Sequence, residues 1–372
     1  MKRYSGIGGQ AVMEGVMMRN KNRYAVACRK PDGEIVVDVK ETHSITEKLP
    51  FLGWPFLRGT VSLIESMVIG IKTLMYSADF IEDEAPAKKT ADAANATAND
   101  NISDNTTEEA QTADGTAATA TAEPKKSESA MTPFMIFCTI ALSLGLSIGL
   151  FFFLPLLIAE GVEMLTGWDS PFAVSCIEGV IRILIFVGYV AAISLLPDIK
   201  RVYRYHGAEH KSINCIESGL PLTVENARAS SKEHKRCGTS FLIIVIAISI
   251  LVFSIVNCFV IYDGDSRIIK ILVRFGIRLL LLPLVAGISY EFLRLAGRSE
   301  SRIVNILSRP GIWMQGLTTK EPDDAMLECA IASVEAVFDW KAFINGEQND
   351  LSGSTQNSDG TASECTGFGC GL

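Results

Sequence analysis

Hydrophobic and polar positions follow three different rhythms along this chain. Residues 23–30 (RYAVACRK) and 34–40 (EIVVDVK) alternate apolar and polar side chains, and Pro31-Asp32-Gly33 between them supplies turn chemistry, so a β-hairpin is expected. From Leu57 to Phe80 the rhythm lengthens: Leu57, Val61, Ile64, Val68, Ile71 and Met75 recur at steps of three and four, with Glu65 and Lys72 among them. That is an amphipathic helix. Its apolar face either lies in a membrane interface behind Trp54 and Phe56 or packs on the hairpin. Further on the pattern becomes long apolar runs, at about 133–159, 172–196, 240–262 and 269–292. Each is long enough to cross roughly 30 Å of hydrocarbon at about 1.5 Å per residue. The expected fold is an α-helical integral membrane protein with about four transmembrane helices and a small cytosolic α+β N-terminal module.

The pattern divides the chain into a cytosolic module at 1–81, an acidic linker at 82–130, a transmembrane domain at 131–296 with a histidine-rich loop at 197–239, a C-terminal helical segment at 297–345 and a tail at 346–372. The linker is Ala, Thr, Asp, Glu, Asn and Ser with almost no large apolar side chain, so it is expected to be disordered. Its two glycosylation acceptor patterns, at Asn101 and Asn105, carry no meaning on a cytosolic segment. In the C-terminal segment, Ser308-Arg309-Pro310-Gly311 is expected to turn the chain, and Thr319 is a candidate helix cap. The helix beyond, to about Trp340, presents Met326, Ala330, Val334 and Val337 for docking on the module. The tail, with Cys365 and Cys370, is expected to be a disordered end.

Composition and the placement of charge sharpen this. An apolar content of 48% places much of the chain in a membrane. The net charge of −8 comes largely from the acidic linker, and no basic tract points to nucleic acid. Nine cysteines without regular spacing fit a reducing, cytosol-facing environment better than a disulfide scaffold. Met1-Lys2-Arg3 is followed by a glycine-rich polar stretch, not by the apolar core of a signal peptide. Lys200, Arg201, Arg204, Lys211, Arg228, Lys232, Lys235 and Arg236 crowd the 197–239 loop, whereas the short connection at 160–170 carries only acids, so both termini and the histidine loop are expected on the cytosolic side. Within the spans, Glu178 and Arg182 lie one turn apart, as do Arg274 and Arg278. A structural Glu178–Arg278 ion pair, with the other arginines snorkelling outward, is preferred to a transport path.

The candidate chemistry lies in that loop. Three of the four histidines, His206, His210 and His234, fall there, and residues 206–210 read H-x-x-E-H. On a helix, His206 and His210 share a face and reach one metal ion, with Glu209 beside them as general base toward a metal-bound water. His234 and Cys237 supply further ligands. All four together make a closed structural site; three leave an open position and a hydrolase; the third option has no metal. Glu217 lies roughly 10 Å from His210 along an unbroken helix, too far to share an ion. The string Gly6-Ile7-Gly8-Gly9-Gln10-Ala11 matches a relaxed dinucleotide fingerprint, but no strand precedes it, so glycine turns are the preferred reading.

Five strings are shared with one family: residues 8–19 (GGQAVMEGVMMR), 55–59 (PFLRG), 206–211 (HGAEHK), 236–242 (RCGTSFL) and 317–324 (LTTKEPDD). With them the chain resembles the YqhQ-like family of bacterial multi-pass membrane proteins, a domain of unknown function labelled as predicted metal-dependent enzymes. The likeness spans nearly everything except the linker and tail. Lys235 stands where the family string H-P-R-C-G has proline; His234 and Cys237 remain in place. The resemblance implies a bacterial plasma-membrane location and supports a divalent metal, zinc first. The expected function is a cytosol-facing metal-dependent hydrolase acting on a lipid-linked molecule or a membrane peptide among membrane lipids. A non-enzymatic membrane scaffold, with the loop as a structural clamp, is the alternative, and a transporter the weaker one. Oligomeric state is not set by the sequence.

Overall fold

The structure is a computed structural model that describes residues 4–55, 57–82, 133–167, 170–259, 267–298 and 301–346. The expectations for the acidic linker beyond residue 82, its glycosylation patterns and the tail beyond residue 346 lie outside them. The chain separates into two compact units, Met1–Glu82 with Gly149–Leu372, and Asp83–Ile148.

Four strands open the first unit: β1 (Gly8–Val12), β2 (Gly15–Asn20), β3 (Arg23–Arg29) and β4 (Ile35–Glu41). They form one antiparallel sheet in the order β1-β2-β3-β4. The expected hairpin is β3–β4, and β1–β2 doubles it. The β1–β2 turn, Met13-Glu14, has neither Gly nor Asn, yet Glu14 adopts φ 51°. Its conformation is held from outside, because the Glu14 carboxylate pairs with Arg201 and accepts from the Tyr205 hydroxyl at 3.2 Å. Alternation then sorts the sheet's side chains. Val16, Met18, Ala25 and Ala27 face one core, and Val12, Met17, Tyr24, Val26 and Cys28 face the other.

After α1 (Ile45–Lys48), helix α2 (Leu57–Glu82) covers the second face with Ile69, Tyr76 and Phe80. The second unit contributes α3 (Pro133–Ile148), and a π-helical turn Gly149–Phe153 leads into α4 (Leu154–Thr166). There follow α5 (Pro171–Ile193), α6 (Pro197–Glu217), α7 (Val224–Ala229), α8 (Gly238–Phe259), α9 (Arg267–Arg298), α10 (Arg302–Thr318), α11 (Asp324–Val337) and α12 (Trp340–Asn345). Among the described residues five helical stretches, where about four are expected, are long and apolar enough to cross a membrane: Leu57–Phe80, Ala141–Thr166, Phe172–Ile193, Gly238–Asn257 and Ile268–Ala296. The added one is α2. Its start is tied to α9, where Arg58 makes a bidentate pair with Glu291 at 2.7 Å and the Thr60 hydroxyl donates to the Pro283 carbonyl at 3.0 Å.

Two local expectations are corrected. Residues 308–311 do not turn the chain: Pro310 sits inside α10, where it forfeits one backbone bond. The helix persists because it is anchored sideways, with Met314 buried and Gln315 Nε2 donating to Ser240 Oγ of α8 at 2.8 Å. Thr319 is no N-cap; it ends α10, and Asp323 caps α11 by accepting from Met326 N at 3.0 Å. Helix α11 lies under the sheet, burying Met326, Leu327, Ala330 and Val334 with the Cys329 thiol and Ser333 hydroxyl on the Ala27 and Ala25 carbonyls.

Among the apolar helices the charges pair. Glu178 bonds Arg182 at 2.6 Å and also Arg278. Arg182 and Arg274 do not snorkel. Arg182 donates to Phe151 O and Ser249 Oγ at 3.2 Å, while Arg274 pairs with Glu160, and Lys270 with Glu163 at 2.7 Å.

Candidate metal centre

Helix α6 carries the H-x-x-E-H string on its second half. Pro197 at its first position and Asp198 in its first turn suit a helix start. The four-residue step then stacks His206 and His210 with ring centroids 4.4 Å apart. The residues between them are dictated by what lies against the helix. A Cβ at Gly207 would stand 2.0 Å from the Lys320 carbonyl oxygen, so only glycine lets the segment after α10 lie on α6. That approach places the Thr318 carbonyl 2.9 Å from His206 Nδ1. Ala208 is buried in the sheet core. Glu209 turns toward β1, where the Gly9 N–H favours its charged form and a Cβ at Gly9 would meet its Cδ at 3.0 Å. Gly9, an intervening position of the supposed dinucleotide fingerprint, therefore makes room for a carboxylate.

His210 is oriented by a loop that α6 itself holds. Lys211 Nζ donates to Arg228 O (2.9 Å) and Ser230 O (3.0 Å), and Asn214 Nδ2 to Ser231 O (2.7 Å) and Glu233 O (2.9 Å). The Lys232 carbonyl thereby reaches His210 Nδ1 at 2.6 Å. A carbonyl only accepts, so both Nδ1 atoms carry hydrogen and both Nε2 atoms are left for another partner.

That partner region holds Cys237. Its carbonyl accepts from Ser240 N and Phe241 N, which puts it at the N-terminus of α8, and its sulfur lies 3.1 Å from His206 Nε2 and 3.2 Å from Thr239 Oγ1. Burial alone would raise the thiol's pKa, but His206 and His210 lower it well below the usual value, and a helix N-terminus acts in the same direction. Burial works against protonation of His206, yet Cys237 outweighs it and holds the imidazole up to about 10. Burial raises the Glu209 carboxyl, with the two histidines opposing it only in part. One donor atom from each of His206, His210 and Cys237 lies within 4.8 Å of the others. Donors around one tetrahedral zinc stand roughly 3.3–3.8 Å apart, given bonds of about 2.0–2.3 Å. Movement of about an ångström closes that gap. His210 Nε2 and Glu209 Oε2 are buried without a hydrogen-bond partner, which suits a site that a cation would complete.

His234 is not in this group. Its ring centroid is 5.7 Å from that of His210, and its Nε2 faces Arg236 Nη2 at 3.2 Å and Glu217 Oε2 at 3.6 Å. Glu217 also pairs with Arg236 and accepts from Ser5 N and Oγ at 3.0 and 2.8 Å. Burial would raise its pKa, but His234 and Arg236 hold it at about 2. His234, pushed down to about 4 first by burial, is neutral. Two positioning groups went unseen in the sequence. Gly9 is one, and Gln315 is the other: its Oε1 accepts from His234 N at 2.9 Å and its Nε2 donates to His234 O at 2.6 Å. Neither has a periodicity that marks it. Beside the trio lies a cavity of about 280 Å³, lined by Gly9, Ala11, His206, Glu209, His210 and Thr239 among others.

The chain is 34% identical to the Bacillus subtilis (strain 168) "Uncharacterized protein YqhQ" over 349 residues, covering 92% of this chain and 94% of that protein. No solved structure matches it. The model of the family "Protein of unknown function (DUF1385)" matches residues 54–340, a stretch that contains all of α6, the Cys237 segment and the helices around them, so this chain belongs to the DUF1385 family.

Proposed function

We propose that this protein is a metal-dependent hydrolase of the zinc type, working at the cytosolic surface of the membrane. His206, His210 and Cys237 hold the ion and Glu209 is the general base. The observation that carries this reading is the convergence of three donors whose two imidazoles are each fixed by a backbone carbonyl on the far nitrogen. Because Glu217 and Arg236 hold His234 aside, no fourth donor among the described residues closes the set, which is the pattern of a catalytic site. A bound divalent cation would supply a water acidified toward neutral pH. Glu209, buried and raised, stands ready to take a proton from that water and return it to the leaving group. Binding an ion requires His206 to give up the proton it shares with Cys237.

A second reading uses the same atoms without an ion. The 3.1 Å contact between His206 Nε2 and Cys237 Sγ, with the thiol's pKa depressed, is also the arrangement of a cysteine nucleophile and its base. Metal content of detergent-purified protein decides between them. About one zinc or iron per chain, absent from His206→Ala/His210→Ala and kept by Glu209→Gln, supports the metal reading. Metal-free wild type whose Cys237 is rapidly alkylated by iodoacetamide supports the cysteine reading. Metal-free protein with an inert Cys237 sinks both and leaves a membrane scaffold.

A further inference from the structure

We propose that the substrate of this site is an extended peptide that adds as a fifth strand to the open edge of β1; the proposal rests on the hydrolase reading for its chemistry and on the sheet for its geometry. Among the described residues the sheet ends at β1, whose one strand neighbour is β2. With a two-residue turn at Met13-Glu14, the pairs Val12↔Gly15, Gln10↔Met17 and Gly8↔Arg19 exchange the hydrogen bonds of the hairpin. The backbone groups of Gly9 and Ala11 therefore point away from β2. The Glu209 carboxyl lies close beside Gly9, and the Gly9 N–H favours its charged form. The Gly9 carbonyl and both backbone groups of Ala11 have no partner among the described residues. These groups form a template for another strand.

The template stands in the right place. Gly8 through Ala11 line the cavity that also holds His206, Glu209 and His210. Gly8 and Gly9 have no side chain to keep a second backbone away. A strand about 4.8 Å from β1 would run along the cavity that His206, Glu209, His210 and Cys237 also line. Its side chains alternate between the two faces of the sheet. Those on the α6 side lie toward His206 and Cys237. Those on the other side meet a second cavity of about 320 Å³, which shares Gly8 and Gln10 with the first and is walled by Leu63, Met67, Ile71 and Leu74 of α2. The geometry selects an apolar side chain there. A hydrocarbon tail would fill the second cavity equally well but offers nothing to the Ala11 N–H and carbonyl.

In the reaction, the oxygen of water bonds to the peptide carbonyl carbon and the C–N bond breaks. Its electron pair leaves on nitrogen, which receives the proton Glu209 took from the water, and the products are a carboxylate and an amine. Water is the only co-reactant.

The test uses the full chain in detergent and a fluorescein-labelled heptapeptide of alternating Leu and Ala, read by anisotropy with metal-free and zinc-loaded protein. A second peptide carries N-methyl groups on the amides of one edge. Saturable binding to both forms of the protein is expected, weakened about tenfold or more by the N-methyl groups. Ala11→Pro, which deletes an outward N–H on an edge strand where proline is tolerated, is expected to weaken it similarly. Equal binding of the two peptides overturns the proposal even if Ala11→Pro fails to fold, since that comparison alters only the ligand. Displacement of both peptides alike by dodecylphosphocholine also overturns it, in favour of a lipid-tail site. Zinc content of the same samples reads the metal centre separately: peptide binding without zinc retains the strand site and removes the hydrolase, and zinc without peptide binding does the reverse.

Discussion

Helices α5 and α6 place their chemistry at the same spacing with opposite results. On α5, Glu178 and Arg182 are four residues apart and bond each other at 2.6 Å, with Arg278 added from α9. On α6, His206 and His210 are four apart and do not bond each other; each is turned by a carbonyl on Nδ1 and directs Nε2 toward Cys237. Complementary charges on one helical face consume one another, so that cluster binds helices together. Two imidazoles on one face do not, and their Nε2 atoms turn to a third party, Cys237 at His206. The spacing sets the meeting; the residue types decide whether a guest is needed.

The largest way to break this comparison is to remove the shared member of the first cluster. Glu178→Ala leaves two guanidiniums buried without their carboxylate and is expected to cost about 3–5 kcal/mol. Glu178→Met/Arg182→Met/Arg278→Met should recover most of the loss, both read as thermal transitions in detergent. In the second cluster, Gly207→Ala forces the Lys320 carbonyl off α6 and with it the Thr318 oxygen on His206. Metal affinity should fall about 10–100-fold in competition with a chromophoric chelator, while helix content by circular dichroism is kept.

A pH series sharpens the contrast between the trio and its neighbour. His234, lowered from 6.5 to about 4, stays neutral when folded, so below pH 6.5 the unfolded chain takes the proton first and stability falls as pH falls toward 4. Between pH 6.5 and 5 the loss from this group should be about 2 kcal/mol, visible as the difference between wild type and His234→Phe. Glu217, held at about 2, adds its loss only below about pH 4.5. The smallest effect is expected at Arg58→Lys, which keeps the charge facing Glu291 but not the fork; about 1 kcal/mol or less should be lost.

What could be read in the sequence follows the same division. His206, His210 and Glu209 are legible because a helix converts spacing directly into a shared face, and the apolar helices because length alone marks them. That Cys237, and not His234, lies beside the two imidazoles is not legible there. It turns on Glu217 and Arg236, which engage His234, and on Gln315, some 80 residues away, which holds its backbone. Strands β1 and β2 were hidden for a different reason. Glycine and methionine are weak strand signals, and the turn at Glu14 lacks the usual Asn or Gly because Arg201 and Tyr205 supply the restraint. Helix α10 was masked by a proline that its neighbours tolerate.

The bonds from Cys329 to Ala27 and from Ser333 to Ala25 join residues 302 and 308 positions apart. On a ribosome adding roughly 5–20 residues per second, β3 waits on the order of 15–60 s for the helix that covers it. Until then the sheet's apolar face is bare and the platform beneath α6 is incomplete. Assembly of the candidate centre is therefore scheduled last, after every apolar helix has been synthesised, and a chain cut short between residues 238 and 323 carries His206, Glu209, His210 and Cys237 without the helix that supports them.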